Sequence, residues 1–144
     1  MRLVSLGLVV CLPAFALADS TVSAVDARAL REECSTFPQA GMRDCLATQA
    51  ESSRIALRRA EEKLANILSN WDEDDQYVNQ AKERFASANK AFAKYRDRQC
   101  ALSAALGGGG AGNAREIRRL ACIAELNNLR AGQLSKAAAD LPLK

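Results

Sequence analysis

The sequence predicts an all-α fold: a small disulfide-bonded bundle of three main helices plus a short N-terminal helix. Apolar residues recur at steps of three and four over three long stretches, the spacing of one helix face. A run of glycines interrupts the last of these stretches, with one cysteine on either side of it. No strand-like alternation with a β-branched run follows residue 18. Nothing therefore predicts a sheet.

Residues 1–18 have the pattern of a cleaved secretory signal peptide. Arg2 gives the positive start, Leu3–Leu12 the apolar core, and Ala16–Ala18 the small-x-small cleavage pattern before Asp19. The apolar run is shorter than the roughly 20 residues that span a membrane. We expect no stable membrane insertion after cleavage, and a periplasmic or secreted protein.

Cys11 leaves a lipoprotein as a minor alternative, but Val10 stands where lipid attachment normally needs a small residue. Removal of residues 1–18 takes Arg2 with it and lowers the net charge from +3 to about +2. So small a net charge does not indicate a nucleic acid or an anionic membrane as the partner.

Four cysteines remain after cleavage: Cys34, Cys45, Cys100 and Cys122. An even number in a small exported domain predicts two disulfides. Three pairings are open, and we favour Cys34–Cys45 and Cys100–Cys122 because each pair flanks a predicted helix–helix turn. A zinc site is disfavoured, since the chain has neither histidine nor a C-x-x-C pair. We expect no metal and no cofactor.

The first helix is predicted from Ala24 to about Cys34, with Ser23 and Asp26 as its capping box. Residues 35–41 contain turn-forming residues, and the second helix is predicted over 42–71. Its apolar face comprises Leu57, Ala60, Leu64, Ile67 and Trp71.

The third helix ends at the glycine run 107–112, and the fourth begins near Asn113, a good N-cap residue. An antiparallel hairpin would place Cys100 and Cys122 at nearly the same height. We divide the chain into a signal peptide, an N-terminal segment 19–33, a helical domain 34–139 and a tail 140–144. The face of the third helix is predicted to comprise Val78, Ala81, Phe85, Ala88, Phe92, Tyr95, Gln99, Leu102 and Leu106, of which Gln99 is the one polar member.

The absence of histidine excludes Ser–His–Asp and Cys–His catalysis. Paired carboxylates occur at Glu61–Glu62 and Asp72–Asp75, but nothing nearby forms an apolar pocket that would raise a pKa. The glycine run follows a helix and lacks the Gly-Lys-Ser/Thr start of a phosphate loop. We therefore expect a non-enzyme.

Two ion pairs across the hairpin are predicted, Arg96 with Glu125 and Arg130 with Asp97. Two exposed segments are candidate contacts for a protein partner, an acidic run and the tip of the glycine loop. Their residues are Asp72, Glu73, Asp74, Asp75, Gly109 and Gly110.

The segment Ala88–Cys100, ANKAFAKYRDRQC, resembles the Q-x-A-W-x-x-[FY]-R-D-x-x-C signature of the LprI-like lysozyme-inhibitor domain. The later glycine break and ACIAEL…R…L resemble the ending of the same family. Phe92, Asn89 and Asn127 replace the usual Trp, Gln and Thr. The matching motif residues are Phe92, Tyr95, Arg96, Asp97, Arg130 and Leu134.

The resemblance implies a small, exported, disulfide-bonded helical domain of bacterial envelopes. It also implies a protein partner, a lysozyme-like glycosidase. A structural or interaction module of the envelope, without inhibitory activity, is the alternative. Lysozymes are typically basic, so a net charge of about +2 would not steer the protein towards them. Only the acidic run Asp72–Asp75 offsets this locally.

Overall fold

The computed structural model describes residues 26–109 and 112–143, which form four helices. A single 3₁₀ turn, Cys34–Thr36, separates the first two. The described ranges contain no strand apart from one isolated bridge between Trp71 and Leu143. The predicted all-α class is therefore confirmed. The helices are α1 (Ala27–Glu33), α2 (Gln39–Ser69), α3 (Asp75–Ala105) and α4 (Ala114–Ala139).

The start of α1 depends on Asp26, whose backbone is extended and whose Oδ1 accepts a hydrogen bond from the Ala29 amide at 2.7 Å. The helix therefore begins three residues later than predicted, and Ser23 of the expected capping box lies outside the described residues. Asn113 precedes α4 as expected but makes no side-chain cap bond. Its carbonyl oxygen accepts from the Ile117 amide instead, at 2.8 Å.

Helix α2 begins at Gln39, three residues before the predicted start, and ends at Ser69. Pro38 immediately precedes it, and a proline at a helix start loses no intrahelical hydrogen bond. Gly41 consequently lies in the first turn of α2 and not in the predicted loop. A Cβ at Gly41 would lie 3.0 Å from the Phe37 Cβ, so glycine lets Phe37 rest against the helix.

The three long helices run α2 up, α3 down and α4 up. Helices α2 and α4 are parallel, because early residues of α2 pack on early residues of α4 and late on late. Helix α4 contacts α1, α2 and α3, whereas α2 and α3 touch only sparsely. We call the end with the α3–α4 turn, residues 106–113, the glycine end. The end with the α2–α3 turn, residues 70–74, is the acidic end.

The bundle has a separate apolar cluster at each end. The glycine-end core joins α1, α2 and α4, and includes Leu30, Leu46 and Leu120. The acidic-end core joins α2, α3 and α4, and includes Leu64, Leu134 and, from α3, the partly buried Phe85 and Phe92. Helix α3 contributes no member to the glycine-end core. The C-terminal half of α3 therefore contacts α4 but takes no part in the core that α1, α2 and α4 form at the glycine end.

The predicted apolar face of α3 is correct in its first half except at Ala88, which is exposed, and it is wrong in its second half. Val78 is buried, but Tyr95, Leu102 and Leu106 are 54, 53 and 69% exposed. Strict steps of three and four average 3.5 residues per turn, and this line drifts about 20° per heptad around a straight helix of 3.6. Over the four heptads from Val78 to Leu106 the drift reaches roughly 80°. The buried line passes through Cys100 and Ala104 instead.

Both predicted disulfides are present, Cys34–Cys45 and Cys100–Cys122. The first links the end of α1 to α2, and the second links α3 to α4 near the glycine end. At the acidic end, Leu141 packs on the core and the Pro142 carbonyl accepts from the Asp72 amide at 3.2 Å. None of the described helices is long and apolar enough to cross a membrane.

We predict that Cys100→Ala/Cys122→Ala lowers the free energy of unfolding by about 3 kcal/mol, the loop-entropy value for its 22-residue separation. Cys34→Ala/Cys45→Ala, with a separation of 11, should lower it by about 0.6 kcal/mol less. Urea unfolding of the two variants measures both. An unchanged midpoint for the first variant would contradict the role given to Cys100–Cys122.

Candidate functional site

A cleft of about 370 Å³ opens where α2 and α3 diverge above α4. The α4 side combines apolar and polar side chains, and the α2 and α3 sides carry the charged residues Glu51, Arg54, Arg96 and Asp97. The cleft exists because α3 leaves the core at the glycine end while α2 stays on α4. Its lining residues are Ala47, Ala50, Glu51, Arg54, Arg96, Asp97, Arg119, Leu120, Ile123 and Asn127.

A chain of hydrogen bonds crosses all three long helices beneath the cleft. Arg96 Nη1 donates to Asn127 Oδ1 at 3.2 Å, and Asn127 Nδ2 donates to Ser53 Oγ at 3.1 Å. Ser53 Oγ in turn donates to the Ala50 carbonyl at 2.7 Å. Ser53 and Asn127 are both buried. These hydrogen bonds satisfy polar groups that would otherwise be buried without partners in the apolar packing of α2 against α4.

The predicted pair between Arg96 and Glu125 is wrong. Arg96 Nε and Nη2 both donate to Asp97 Oδ1, at 3.2 and 2.9 Å. Its third nitrogen is directed inward to Asn127, because Arg96 lies on the buried line of α3, facing α4. Asp97 therefore accepts hydrogen bonds from the exposed side of the Arg96 guanidinium, and the opposite side of that guanidinium donates to the buried Asn127.

The predicted contact of Arg130 with Asp97 is also wrong. Arg130 Nη2 donates to Asn89 Oδ1 at 3.1 Å, and its guanidinium lies 5.7 Å from the centre of the Phe92 ring. Its Nε is buried without a hydrogen-bond partner. This cation–π contact uses the position where the family signature has Trp, and Phe provides the same face in a smaller ring.

Glu61 of α2 lies near these cations. Burial raises the pKa of its carboxyl, while the charges of Arg130 and Arg96 act in the opposite direction. It is not hydrogen-bonded to either arginine in the structure, since Arg96 and Arg130 bond elsewhere. Among the partly buried carboxylates, Glu61 therefore carries a desolvation penalty that its neighbours do not fully offset.

The two other arginines of the cleft are neutralised on their own helices. Arg54 forms a bidentate ion pair with Glu51. Arg119 forms a bidentate pair with Glu116, in which its Nε and Nη2 donate to the two carboxylate oxygens at 2.8 and 2.6 Å. These hydrogen bonds lower the pKa of both glutamates. Carboxyls held in the ionised form are poor general acids at neutral pH. The charges of Arg54 and Arg119 are therefore balanced by Glu51 and Glu116, and neither glutamate has the raised pKa of a general acid.

The two predicted partner contacts lie at opposite ends of the molecule. Asp72–Asp75 form the turn at the acidic end, all exposed. Gly109 is exposed at the glycine end, and Gly110 lies outside the described residues. Helix α3 separates the two ends by about 46 Å, taking 1.5 Å per residue over its 31 residues. A single partner would have to span about 46 Å to touch both.

Most of the family-motif residues form contacts between α3 and α4, and few of them form an exposed surface that a partner could bind. Phe92, Arg96 and Arg130 make the contacts between α3 and α4 described above, and Leu134 is buried in the acidic-end core. Tyr95 is exposed and takes no part in these contacts. Asp97 is exposed but positions Arg96.

Ser53 and Asn127 were not predicted to form a site. Both lie on apolar stripes, Ser53 between Ala50 and Leu57 and Asn127 between Ala124 and Leu134. The sequence signal that could have predicted their contact is a polar residue on the apolar face of each helix, because buried polar groups form hydrogen bonds with each other. Which polar groups meet depends on the alignment of α2 and α4, and that alignment cannot be deduced from either stripe alone.

These features define the class: a small, disulfide-bonded helical domain whose described residues contain no cluster able to hold a metal ion. The family model described as Lysozyme inhibitor LprI matches residues 32–134. This match covers most of the chain, and the protein belongs to that family. No curated protein and no solved structure matches the chain.

We predict that Asn127→Ala lowers the free energy of unfolding by about 2 kcal/mol, because it leaves Arg96 Nη1 without its acceptor and creates a small buried void. The neighbouring exposed Asn128→Ala is the matched control and should change stability little. Urea midpoints compare them. Equal effects of the two substitutions would contradict the buried chain.

We predict that Glu61→Gln is more stable than the wild type at neutral pH. A raised pKa means that the folded protein binds the Glu61 proton more readily than the unfolded chain does, so the wild type gains stability as the pH falls through the raised pKa towards 4.5. The difference between the two proteins should therefore shrink over that range in thermal unfolding. The same pH-dependent difference for the exposed control Glu62→Gln would contradict the assignment to Glu61.

Proposed function

We propose that the protein inhibits a lysozyme-like glycosidase by direct contact, covering the enzyme's substrate cleft. Membership of the lysozyme-inhibitor family over residues 32–134 carries the proposal. The contacts of Phe92, Arg96 and Arg130 support it, because the motif residues build the family's helical hairpin in this chain too. Inhibition by occlusion needs a rigid surface, which the two disulfides help to supply.

The chemistry of the cleft supports binding over catalysis. The chain has no histidine. The carboxyls of Glu51 and Glu116 have a lowered pKa because each bonds an arginine. Burial raises the pKa of Glu61, but Glu61 does not line the cleft, and the charges of Arg130 and Arg96 act against the shift. The carboxylate that α3 contributes to the cleft, Asp97, is bonded to Arg96 and is therefore not free to act as the second carboxylate of a glycosidase pair. We therefore propose a non-enzymatic binding protein.

Export is part of the proposal. Residues 1–18 lie outside the described part of the chain, so the signal peptide is still a prediction from sequence. Two disulfides fit an oxidising compartment such as the periplasm or the exterior. A lysozyme acting on the cell wall would be met there. The mature protein would then comprise the segment 19–33, the helical domain 34–139 and the tail 140–144.

We propose the acidic end as the surface that meets the enzyme. In the described part of the chain, none of the four carboxylates of Asp72–Asp75 pairs with a lysine or arginine. At the glycine end, by contrast, Arg43, Arg115 and Arg118 lie close to the turn or on the first turns of α2 and α4. A basic lysozyme would be steered to the acidic end even though the net charge is positive.

The proposed activity is tested by the turbidity of a cell-wall suspension during lysis, with lysozymes of several classes and the full-length gene product recovered after export. The recovered chain should begin at Asp19 and slow the lysis at near-equimolar ratio. Lysis at the normal rate under a large molar excess, with every class, would contradict the proposal.

We predict that Asp72→Asn/Asp75→Asn weakens inhibition by roughly tenfold at low salt, because loss of local negative charge slows association with a basic enzyme. Glu62→Gln/Glu83→Gln removes the same charge from exposed positions elsewhere and is the matched control. The apparent inhibition constant is measured for both pairs at low and high salt. Equal weakening by the two pairs would show that total charge, and not the acidic end, matters.

The alternative is an interaction module of the envelope without inhibitory activity. The exposed apolar residues Tyr95, Leu102 and Leu106 favour it, since they form a surface that the fold itself does not use. The lysis assay separates the two functions, because a module of this kind would leave every lysozyme active.

A further inference from the structure

Helix α3 presents an apolar stripe to solvent over its C-terminal half. Tyr95, Leu102 and Leu106 are each more than half exposed. At 3.6 residues per turn, Leu102 and Leu106 lie within about 20° of Tyr95 around the helix. A shallow concavity of about 520 Å³ runs along the stripe, lined by Ala91, Lys94, Tyr95, Arg98, Gln99 and Leu102. All six residues belong to α3.

The stripe lies away from the cleft. Asp97 lines the cleft, and residues two apart are separated by about 200° around a helix, which places Tyr95 on the other side of α3. It is also distinct from the acidic end, which lies beyond the first residue of α3. A partner on the stripe would therefore leave the surface proposed for the glycosidase free.

The charges beside the stripe have one sign. Lys94 and Arg98 line its concavity. The acidic residues of α3 are Asp75, Glu83 and Asp97, and by helical geometry each lies more than about 100° from Tyr95. Asp97 is in addition bonded to Arg96. The stripe is thus apolar with a basic edge, although the net charge of the whole chain is close to neutral.

A second copy of the chain fits this stripe poorly. An antiparallel pair that set Tyr95 of one copy against Leu102 of the other would bring the two Arg98 side chains together near the symmetry axis. A parallel pair would set both Lys94 and Arg98 against themselves. Like charges at such positions destabilise the association of helices.

We propose that the outer stripe of α3 docks the protein on an anionic lipid surface. Apolar residues with Lys and Arg beside them on one helix face are the pattern of interfacial membrane binding. Leu102 and Leu106 enter the headgroup boundary, Tyr95 lies at the interface with its hydroxyl in water, and Lys94 and Arg98 extend to lipid phosphates. A lipid surface is favoured over an acidic protein because the stripe belongs to a single helix and offers no second wall to grip a partner.

This docking is superficial and reversible. Net charge alone argues against an anionic membrane as partner. The inference rests on where the charges lie, because the attraction of a surface acts mainly within a Debye length of it.

The test is co-sedimentation of the disulfide-bonded protein with vesicles of phosphatidylglycerol and phosphatidylethanolamine, and with neutral phosphatidylcholine vesicles. The wild type should pellet with the anionic vesicles, and added salt should release it. Lys94→Glu/Arg98→Glu should lower the partition coefficient at least about tenfold. Arg59→Glu/Lys63→Glu, at exposed positions of α2, changes the net charge equally and should retain binding.

Leu102→Gln/Leu106→Gln should also weaken binding without any change of charge, with circular dichroism confirming that each variant is helical. Equal loss in the α2 control, or wild-type binding by both stripe variants, would overturn the proposal. Wild-type protein that does not bind anionic vesicles but binds an acidic peptide would also overturn it, and so would a dimer that Leu102→Gln/Leu106→Gln dissociates. Inhibition of lysis should be unchanged by the stripe variants, and this separates the inference from the proposed function.

Discussion

The packing of α4 is the constraint on which the rest of the structure depends. Helices α1, α2 and α3 all contact it, and α2 does so along most of its length. Ala121 and Ala124 are completely buried, so small side chains let the neighbouring helices approach closely. Because α2 and α3 are both held by α4 and barely by each other, they can diverge at the glycine end. The cleft is a direct result of this arrangement.

The alignment of the helices around α4 is fixed by two different interactions. The disulfide Cys100–Cys122 sets the height of α3, and the chain from Arg96 through Asn127 to Ser53 joins all three helices at one level. A buried amide stabilises only the alignment that satisfies its hydrogen bonds, since a shifted helix would leave it unpaired. We interpret Asn127 as a residue that selects one alignment of α2, α3 and α4.

The favoured disulfide pairing is the one present, although the sequence left three pairings open. The sequence was sufficient for the helices and their order, because periodicity and glycine breaks are local signals. It was insufficient where neighbouring helices compete for a side chain. Arg96 bonds Asp97 and Asn127 instead of Glu125, since its position faces the interior of the bundle. Leu102 follows the apolar rhythm yet is exposed, because a 3.5-residue repeat leaves the buried line of a straight helix. Both outcomes depend on which face of α3 packs against α4.

Separate surfaces have separate proposed roles: the acidic end meets the glycosidase, the outer stripe of α3 meets lipid, and the motif residues form the scaffold. The proposed function requires the protein to occupy the substrate cleft of a lysozyme-like enzyme. Calorimetric titration of the protein into lysozyme, with and without a cell-wall oligosaccharide in the enzyme's cleft, tests this most directly. We predict one-to-one binding that the oligosaccharide weakens in proportion to its occupancy of the enzyme's cleft. Binding that is indifferent to the oligosaccharide, or no binding at all, would contradict it.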